Sequence, residues 1–268
     1  MYKLFVFDID GTLVNDAKEI TPKTHAALVK LHDLGYHVVI SSGRPFPGVK
    51  RVAEMVGGDL VQYASCFNGG LIKDIYSQET LVQSELAPDD VLELLDFAIQ
   101  HGVDPHYYND EHVLTPVAPK FDYIHAEEDL SGLSMKVMNP DEEAIHTPKL
   151  MFTAPPEILE QAEAQLPEDY YQRFSIVKSE PYFLEFNPLG VSKGNSLAML
   201  ADKLGIKQSE VMTFGDQNND LSMIEWAGKG VAMGNAITDL KNVADYVTDT
   251  NENDGIAQAL EEFVFSKE

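Results

Sequence analysis

The sequence predicts an α/β protein: a doubly wound core on a parallel sheet, interrupted by an inserted α+β domain. Three observations carry this. At both ends of the chain, short apolar runs such as Leu4-Phe5-Val6-Phe7 and His37-Val38-Val39-Ile40 alternate with helix-period segments, as strands buried on both faces do in parallel sheets. The middle of the chain instead gathers strand-like runs in pairs between helices, the pattern of an α+β layer. Acidic, hydroxyl and lysine side chains stand where the outer strands stop or a helix begins, and ligands of open α/β sheets bind at those ends.

Taken in order, residues 4–7 form the opening strand, and Asp8-Ile9-Asp10-Gly11-Thr12 turns the chain away from it. Thr21-Pro22 supplies an N-cap followed by proline at the first helical position. Leu28, Leu31 and Leu34 follow at helical spacing, and Gly35 stops the helix. Residues 37–42 form a second strand, ending at Gly43-Arg44-Pro45. A helix over 47–55 and strand-like pieces around Cys66, Leu71 and Leu81 follow, joined by right-handed crossovers where strands run parallel. This first part of the core spans residues 1–83.

The insertion spans 84–190. Ala87-Pro88-Asp89-Asp90 opens a helix closed near Gly102, and a hairpin follows through residues 106–114. After a polar helical stretch come a strand at 149–153, a helix opened by Pro155-Pro156, and strands at 174–178 and 182–186. Helices on one face of a mostly antiparallel sheet fit this order. The second part of the core, 191–268, begins with a helix capped by Ser192. The strand Val211-Met212-Thr213-Phe214 then leads into Gly215-Asp216-Gln217-Asn218-Asn219-Asp220, and two further strand–helix units complete it.

Composition narrows the function. The 268 residues carry 19 basic and 44 acidic side chains, a formal net charge of −25. That leaves no electrostatic footprint for nucleic acid or an anionic membrane, so an anionic substrate must be held by local cations. Cys66, the single cysteine, cannot form an intrachain disulfide and fits a reducing compartment as a small buried apolar residue. The N-terminal apolar run is too short for a signal peptide, and no stretch approaches the ~18 apolar residues of a membrane span. The expectation is a soluble, cytoplasmic protein.

Four clusters carry chemistry. Asp8 and Asp10 leave the first strand and can hold a hard cation with an oxygen free to react. Ser42-Gly43 leaves the second, where a hydroxyl and backbone amides can grip phosphate oxygens. Lys193 opens a helix, where its ammonium and the helix N-terminus both favour an anion. Asp216, Asn219 and Asp220 follow the strand after the insertion. Four carboxylates in one crevice repel one another; Lys193 and a divalent oxygen-seeking cation would relieve this, with Mg²⁺ the usual choice beside carboxylates and phosphate. His101, His106 and His112 match no zinc spacing and read as surface or packing residues.

These motifs resemble those of the haloacid dehalogenase superfamily, and their spacing is similar to that of the Cof-type phosphatases with a large α/β cap. The resemblance covers essentially the whole chain. It implies that Asp8 is the nucleophile, forming an aspartyl-phosphate, and that Asp10 is the general acid and then the general base. It implies Mg²⁺ on Asp8, the backbone carbonyl of Asp10 and Asp216, with Asp220 acting at one remove or through water. Ser42, the amide of Gly43, Lys193 and Asn219 would hold the phosphoryl oxygens, and Thr12 would brace the loop that aims Asp10. The insertion would cap the crevice, with Arg44, Tyr107, Tyr108 and Lys149 as candidates for touching the rest of a small phosphorylated metabolite, sugar phosphates foremost. A phosphomutase using the same intermediate and a non-catalytic sugar-phosphate sensor are the alternatives. An intact Asp8–Asp10 pair argues against the sensor, because binding alone needs no nucleophile.

Overall fold

The computed structural model describes residues 1–142 and 144–267. The chain separates into two compact units, residues 1–82 with 192–268, and residues 83–191. The first segment runs β1 (Leu4–Phe7), α1 (Pro22–Asp33), β2 (His37–Ser41), α2 (Phe46–Gly57), β3 (Tyr63–Cys66), β4 (Leu71–Asp74) and β5 (Thr80–Gln83). The second unit runs α3 (Pro88–His101), β6 (Asp104–Tyr108), β7 (His112–Thr115), α4 (Tyr123–Ser131), β8 (Ser134–Val137), β9 (Leu150–Thr153), α5 (Pro156–Glu163), α6 (Tyr170–Arg173), β10 (Phe174–Glu180) and β11 (Phe183–Pro188). The first unit resumes with α7 (Lys193–Lys203), β12 (Val211–Gly215), α8 (Leu221–Trp226), β13 (Lys229–Ala232), α9 (Thr238–Val243), β14 (Tyr246–Val247) and α10 (Gly255–Phe263).

The first unit holds an eight-stranded sheet in the order β14-β13-β12-β1-β2-β3-β4-β5. From β14 to β3 every neighbouring pair is parallel. The chain moves one way from β1 to β2 and the other way from β12 to β13, so the strand order reverses between β1 and β12, where such sheets open a crevice. β1 is central because nothing in it tolerates water: Leu4, Phe5, Val6 and Phe7 are all fully buried, each side chain contributing ~1.5–3 kcal/mol. Phe7 stacks on Phe214 of β12 with ring centroids 4.9 Å apart, which locks the two strand ends side by side. One element departs from the parallel plan. β4 runs antiparallel to β3, because Phe67-Asn68-Gly69-Gly70 is a tight turn and a parallel return needs a crossover of a dozen residues.

Capping sets the helix starts. The Thr21 hydroxyl accepts the Thr24 N–H ahead of Pro22, and the Ser192 hydroxyl accepts the Asn195 N–H at 3.2 Å, each satisfying a backbone donor of the first turn. Leu28 and Leu31 are buried, whereas Leu34 lies just past the helix as its C-cap and is exposed.

The second unit is a six-stranded sheet ordered β10-β11-β9-β6-β7-β8. Its described pairs are antiparallel except β7 with β8, which α4 connects as a crossover. Its apolar core joins Leu94 and Phe97 of α3 to Tyr107, Leu150, Phe152 and Phe186 of the sheet. Tyr107 is therefore core packing, which removes it as a candidate for substrate contact. Leu150, its partner across the ladder to β9, belongs to the same core cluster and holds it there.

Candidate active site

β1 and β12 deliver the acidic residues. The Asp8 N–H donates to the Phe214 carbonyl at 3.1 Å, so Asp8 leaves its strand beside the residue pair that precedes Asp216. Lys193, at the first position of α7, is fully buried and donates to Asp8 Oδ1 and Asp220 Oδ1, each at 2.6 Å. A lysine in a first helical turn opposes the helix dipole; here two carboxylates outweigh that. The other oxygen of Asp220 accepts the N–H groups of Asp216 at 2.9 Å and Gln217 at 3.1 Å. Asp216 Oδ1 accepts the Thr12 hydroxyl at 2.8 Å, and its Oδ2 accepts Gln217 Nε2 at 3.2 Å.

Backbone fit is tight. Gly11 has φ +79°, and a Cβ there would lie 2.4 Å from Asp216 Oδ2. Only glycine permits both the left-handed turn and the close approach of the two loops.

Electrostatics follow from the burial. Burial pushes the Asp8 carboxyl up to about 8; Lys193 partly offsets this, while Asp220 and Asp216 add to it. Burial also raises Asp216, to about 6, against the Thr12 hydrogen bond. Burial would lower Lys193, but Asp220 and Asp8 raise it above its ordinary value instead, so it stays an ammonium. Asp8, Asp216 and Asp220 each present a carboxylate oxygen within 4.8 Å of the others. Asp220 accepts three hydrogen bonds on its two oxygens, whereas each Asp216 oxygen accepts one and Lys193 holds only Oδ1 of Asp8, so Asp8 and Asp216 keep more lone pairs to spend on a cation. Oxygen-only donors and surplus negative charge suit a hard divalent ion.

Asp10 stands differently. It is partly exposed, its Oδ1 held by Lys18 Nζ at 2.7 Å and its Oδ2 by an Arg44 guanidinium nitrogen at 2.6 Å. Burial pushes its carboxyl up, but the hydrogen bonds and charges of Lys18 and Arg44 outweigh this and hold it below the usual range. Arg44 thus belongs with the core site, paired to an acid. The Ser42 side chain is buried, its hydroxyl accepting the Arg44 N–H at 3.3 Å. Asn219 Nδ2 donates to Asn68 Oδ1 at 3.0 Å, and the Asn68 N–H donates to the Ser42 carbonyl at 3.0 Å.

Lys18 and Asn68 are site residues that the sequence reading passed over. Asn68 had a signal, since Asn68-Gly69-Gly70 follows the third parallel strand at its carboxyl end. Lys18 had none beyond being a cation in the loop after Asp10. In the second unit, Tyr108 and Lys149 share one face of the sheet, Lys149 Nζ lying 5.5 Å from the Tyr108 ring centroid and pairing with Glu185. His106 is buried beside them.

Comparison with known proteins gives the family. A family profile described as haloacid dehalogenase-like hydrolase matches residues 5–260. YxeH of Bacillus subtilis is 35% identical over 100% of both chains. The 5-amino-6-(5-phospho-D-ribitylamino)uracil phosphatase YcsE of the same organism is 31% identical, over 98% of this chain and 96% of its own. Among solved structures, the HAD subclass IIB sugar phosphatase BT4131 superposes with a TM-score of 0.80 at 25% identity, covering 97% of this chain and 98% of its own. Among the described residues, no helix is long and apolar enough to cross a membrane.

Proposed function

We propose that this chain, which belongs to the haloacid dehalogenase-like hydrolase family, is a Mg²⁺-dependent phosphatase that cleaves sugar and polyol phosphates through an aspartyl-phosphate on Asp8. That it is a phosphoric monoester hydrolase acting on small phosphorylated substrates follows from the family and its named phosphatases. One observation carries the finer reading: Asp8, buried at the end of β1, is aimed by an ammonium that Asp220 holds in place.

The chemistry runs as follows. An Asp8 oxygen attacks phosphorus and the bond to the leaving oxygen breaks, giving a carboxylate-bound phosphoryl group. The leaving oxygen takes a proton from Asp10. Water then attacks the same phosphorus while Asp10 takes its proton, and Asp8 is released with inorganic phosphate. Lys193, Ser42, the Gly43 amide and Asn219 stabilise charge on the transferring oxygens. Asp8, Asp216 and the Asp10 backbone carbonyl would hold Mg²⁺, which neutralises charge on the phosphoryl group when bound. Thr12 and Asp220 fix Asp216 and Lys193 rather than touch substrate. Residues 83–191 act as the cap that reads the leaving group. Such an enzyme belongs in the cytoplasm, with phosphorylated metabolites.

Phosphate release by Asp8→Asn tests this. The variant keeps size and loses the nucleophile, so turnover should vanish while circular dichroism stays unchanged. Near-normal turnover, with deamidation ruled out by mass spectrometry, would sink the assignment.

A further inference from the structure

The turn after β3 holds two consecutive non-glycine residues in the left-handed region, Phe67 at φ +52° and Asn68 at φ +54°. Asparagine visits that region at little cost, but a bulky residue there is an outlier. Strain of ~1–3 kcal/mol persists only where the surroundings over-determine it. Here they do. Phe67 is buried; its N–H donates to the Arg44 carbonyl at 3.1 Å, and the Asn68 N–H donates to the Ser42 carbonyl at 3.0 Å. On the other side, a Cβ on Gly69 would lie 2.6 Å from the Ser192 carbonyl oxygen. The turn is thus wedged between the loop that carries Ser42 and Gly43 and the start of α7 that carries Lys193.

What this backbone sets is the Asn68 side chain. Its Oδ1 accepts Asn219 Nδ2 at 3.0 Å, which fixes the carboxamide. The same carboxamide lies over Gly43, with Nδ2 3.3 Å from where a Gly43 Cβ would stand, so it fills the space of a side chain there. Across one Cα–Cβ and one N–Cα bond, Nδ2 is no more than ~6 Å from the Gly43 nitrogen. That is near enough for both donors to meet on one phosphoryl group. Asn68 is partly exposed, and its Nδ2 has no hydrogen-bond partner among the described residues. The cations nearby are already paired, Lys193 with Asp8 and Asp220 and Arg44 with Asp10. An uncommitted N–H is a donor that an arriving anion can take without breaking an ion pair.

We propose that Asn68 is a further phosphoryl-holding residue: its Nδ2 donates to an oxygen of the transferring group beside the Gly43 amide, while Asn219 holds the carboxamide in place. The inference rests on the phosphatase reading and adds one neutral donor to the groups that stabilise charge on the phosphoryl oxygens. It also gives the strained turn a use, since the left-handed backbone at Phe67 and Asn68 is what brings this amide against Gly43.

Asn68→Gly separates the side chain from the turn. Glycine takes a positive φ freely and keeps the backbone bond to Ser42, so a residue needed only for the turn can be replaced without loss. Asn68→Ala, which does not loosen the backbone, is the second variant and decides alone if the first fails to fold. In both, kcat/KM on acetyl phosphate and on hexose monophosphates should fall about tenfold or more and by a similar factor, since the lost bond is to the group those substrates share. Calorimetry with inorganic phosphate and Mg²⁺ gives a readout free of turnover, and affinity there should also fall about tenfold. Unchanged kcat/KM and phosphate affinity in folded variants would overturn the assignment. A double-mutant cycle tests the contact itself. In an Asn219→Ala background, Asn68→Gly should still weaken phosphate binding severalfold; no further loss there would mean that Asn68 acts only through Asn219 and would refute the contact. If the wild-type protein releases no phosphate from any ester, hydrolysis is refuted and calorimetry decides this residue: weaker phosphate binding in the variants upholds it, and absent or unaltered binding refutes it.

Discussion

Asp10 carries two opposed demands. Its ion pairs with Lys18 and Arg44 keep it a carboxylate, the form needed to activate water but not to protonate a leaving group. On the proposed mechanism an arriving phosphate ester, an anion, would compete for Arg44, and freeing one Asp10 oxygen would let the carboxyl take up a proton. Its acid role weighs most where the leaving group is poor. Asp10→Asn should therefore slow alkyl phosphates by about 10²–10⁴-fold and activated aryl phosphates far less, as measured by phosphate release from each. Equal losses on both classes would reassign Asp10 to a purely structural role. At this scale the sequence exposed Asp8, Asp10, Lys193 and Asp216, because each sits at a strand end or helix start. It could not expose Lys18, which meets Asp10 only through the shape of the intervening loop.

Two loops and one helix cap place those side chains. Gly11 lets the loop after β1 pass against Asp216, so Gly11→Ala should displace Asp216 and add backbone strain of ~1–3 kcal/mol. The expected result is a raised Mg²⁺ requirement and lower kcat, read by metal titration of activity; an unaltered titration would mean that the loop yields freely. Ser192 fixes the first turn of α7 beneath Lys193. Ser192→Ala should cost ~0.5–2 kcal/mol in urea denaturation and reduce turnover as Lys193 loosens. Core strands were legible because β1 is apolar throughout and buried on both faces. The turn to β4 and the side of the second sheet that receives Tyr107 were not, since both depend on pairing register rather than on local pattern.

Across the whole molecule, a chain of net charge −25 also concentrates carboxylates in its crevice, so long-range attraction gives a phosphate ester no help. On the proposed mechanism a bound cation supplies local positive charge alongside Lys193 and Arg44. EDTA should abolish turnover and Mg²⁺ restore it, whereas Ca²⁺, with looser and higher coordination, should support it poorly; full activity after exhaustive chelation would overturn the metal assignment. The pH dependence has a definite sign. Asp8 at about 8 and Asp216 at about 6 stand above their ordinary value of 3.8, so the folded metal-free protein holds protons that the unfolded chain has lost. Stability from this pair is present at low pH and declines as pH rises through ~4 toward ~8. Mg²⁺ needs the deprotonated carboxylates, so the gain in Tm on adding it should grow from pH ~5 to ~8. A gain independent of pH would contradict the shifted carboxyls. The central claim is that the phosphoryl group passes through Asp8. Rapid acid quench during turnover, followed by peptide mass spectrometry, should find a phosphoryl group on the Asp8 peptide that forms and decays as fast as phosphate is released, and none in Asp8→Asn. Phosphate release in the same quench series with no phosphoryl group ever on Asp8 would contradict the account.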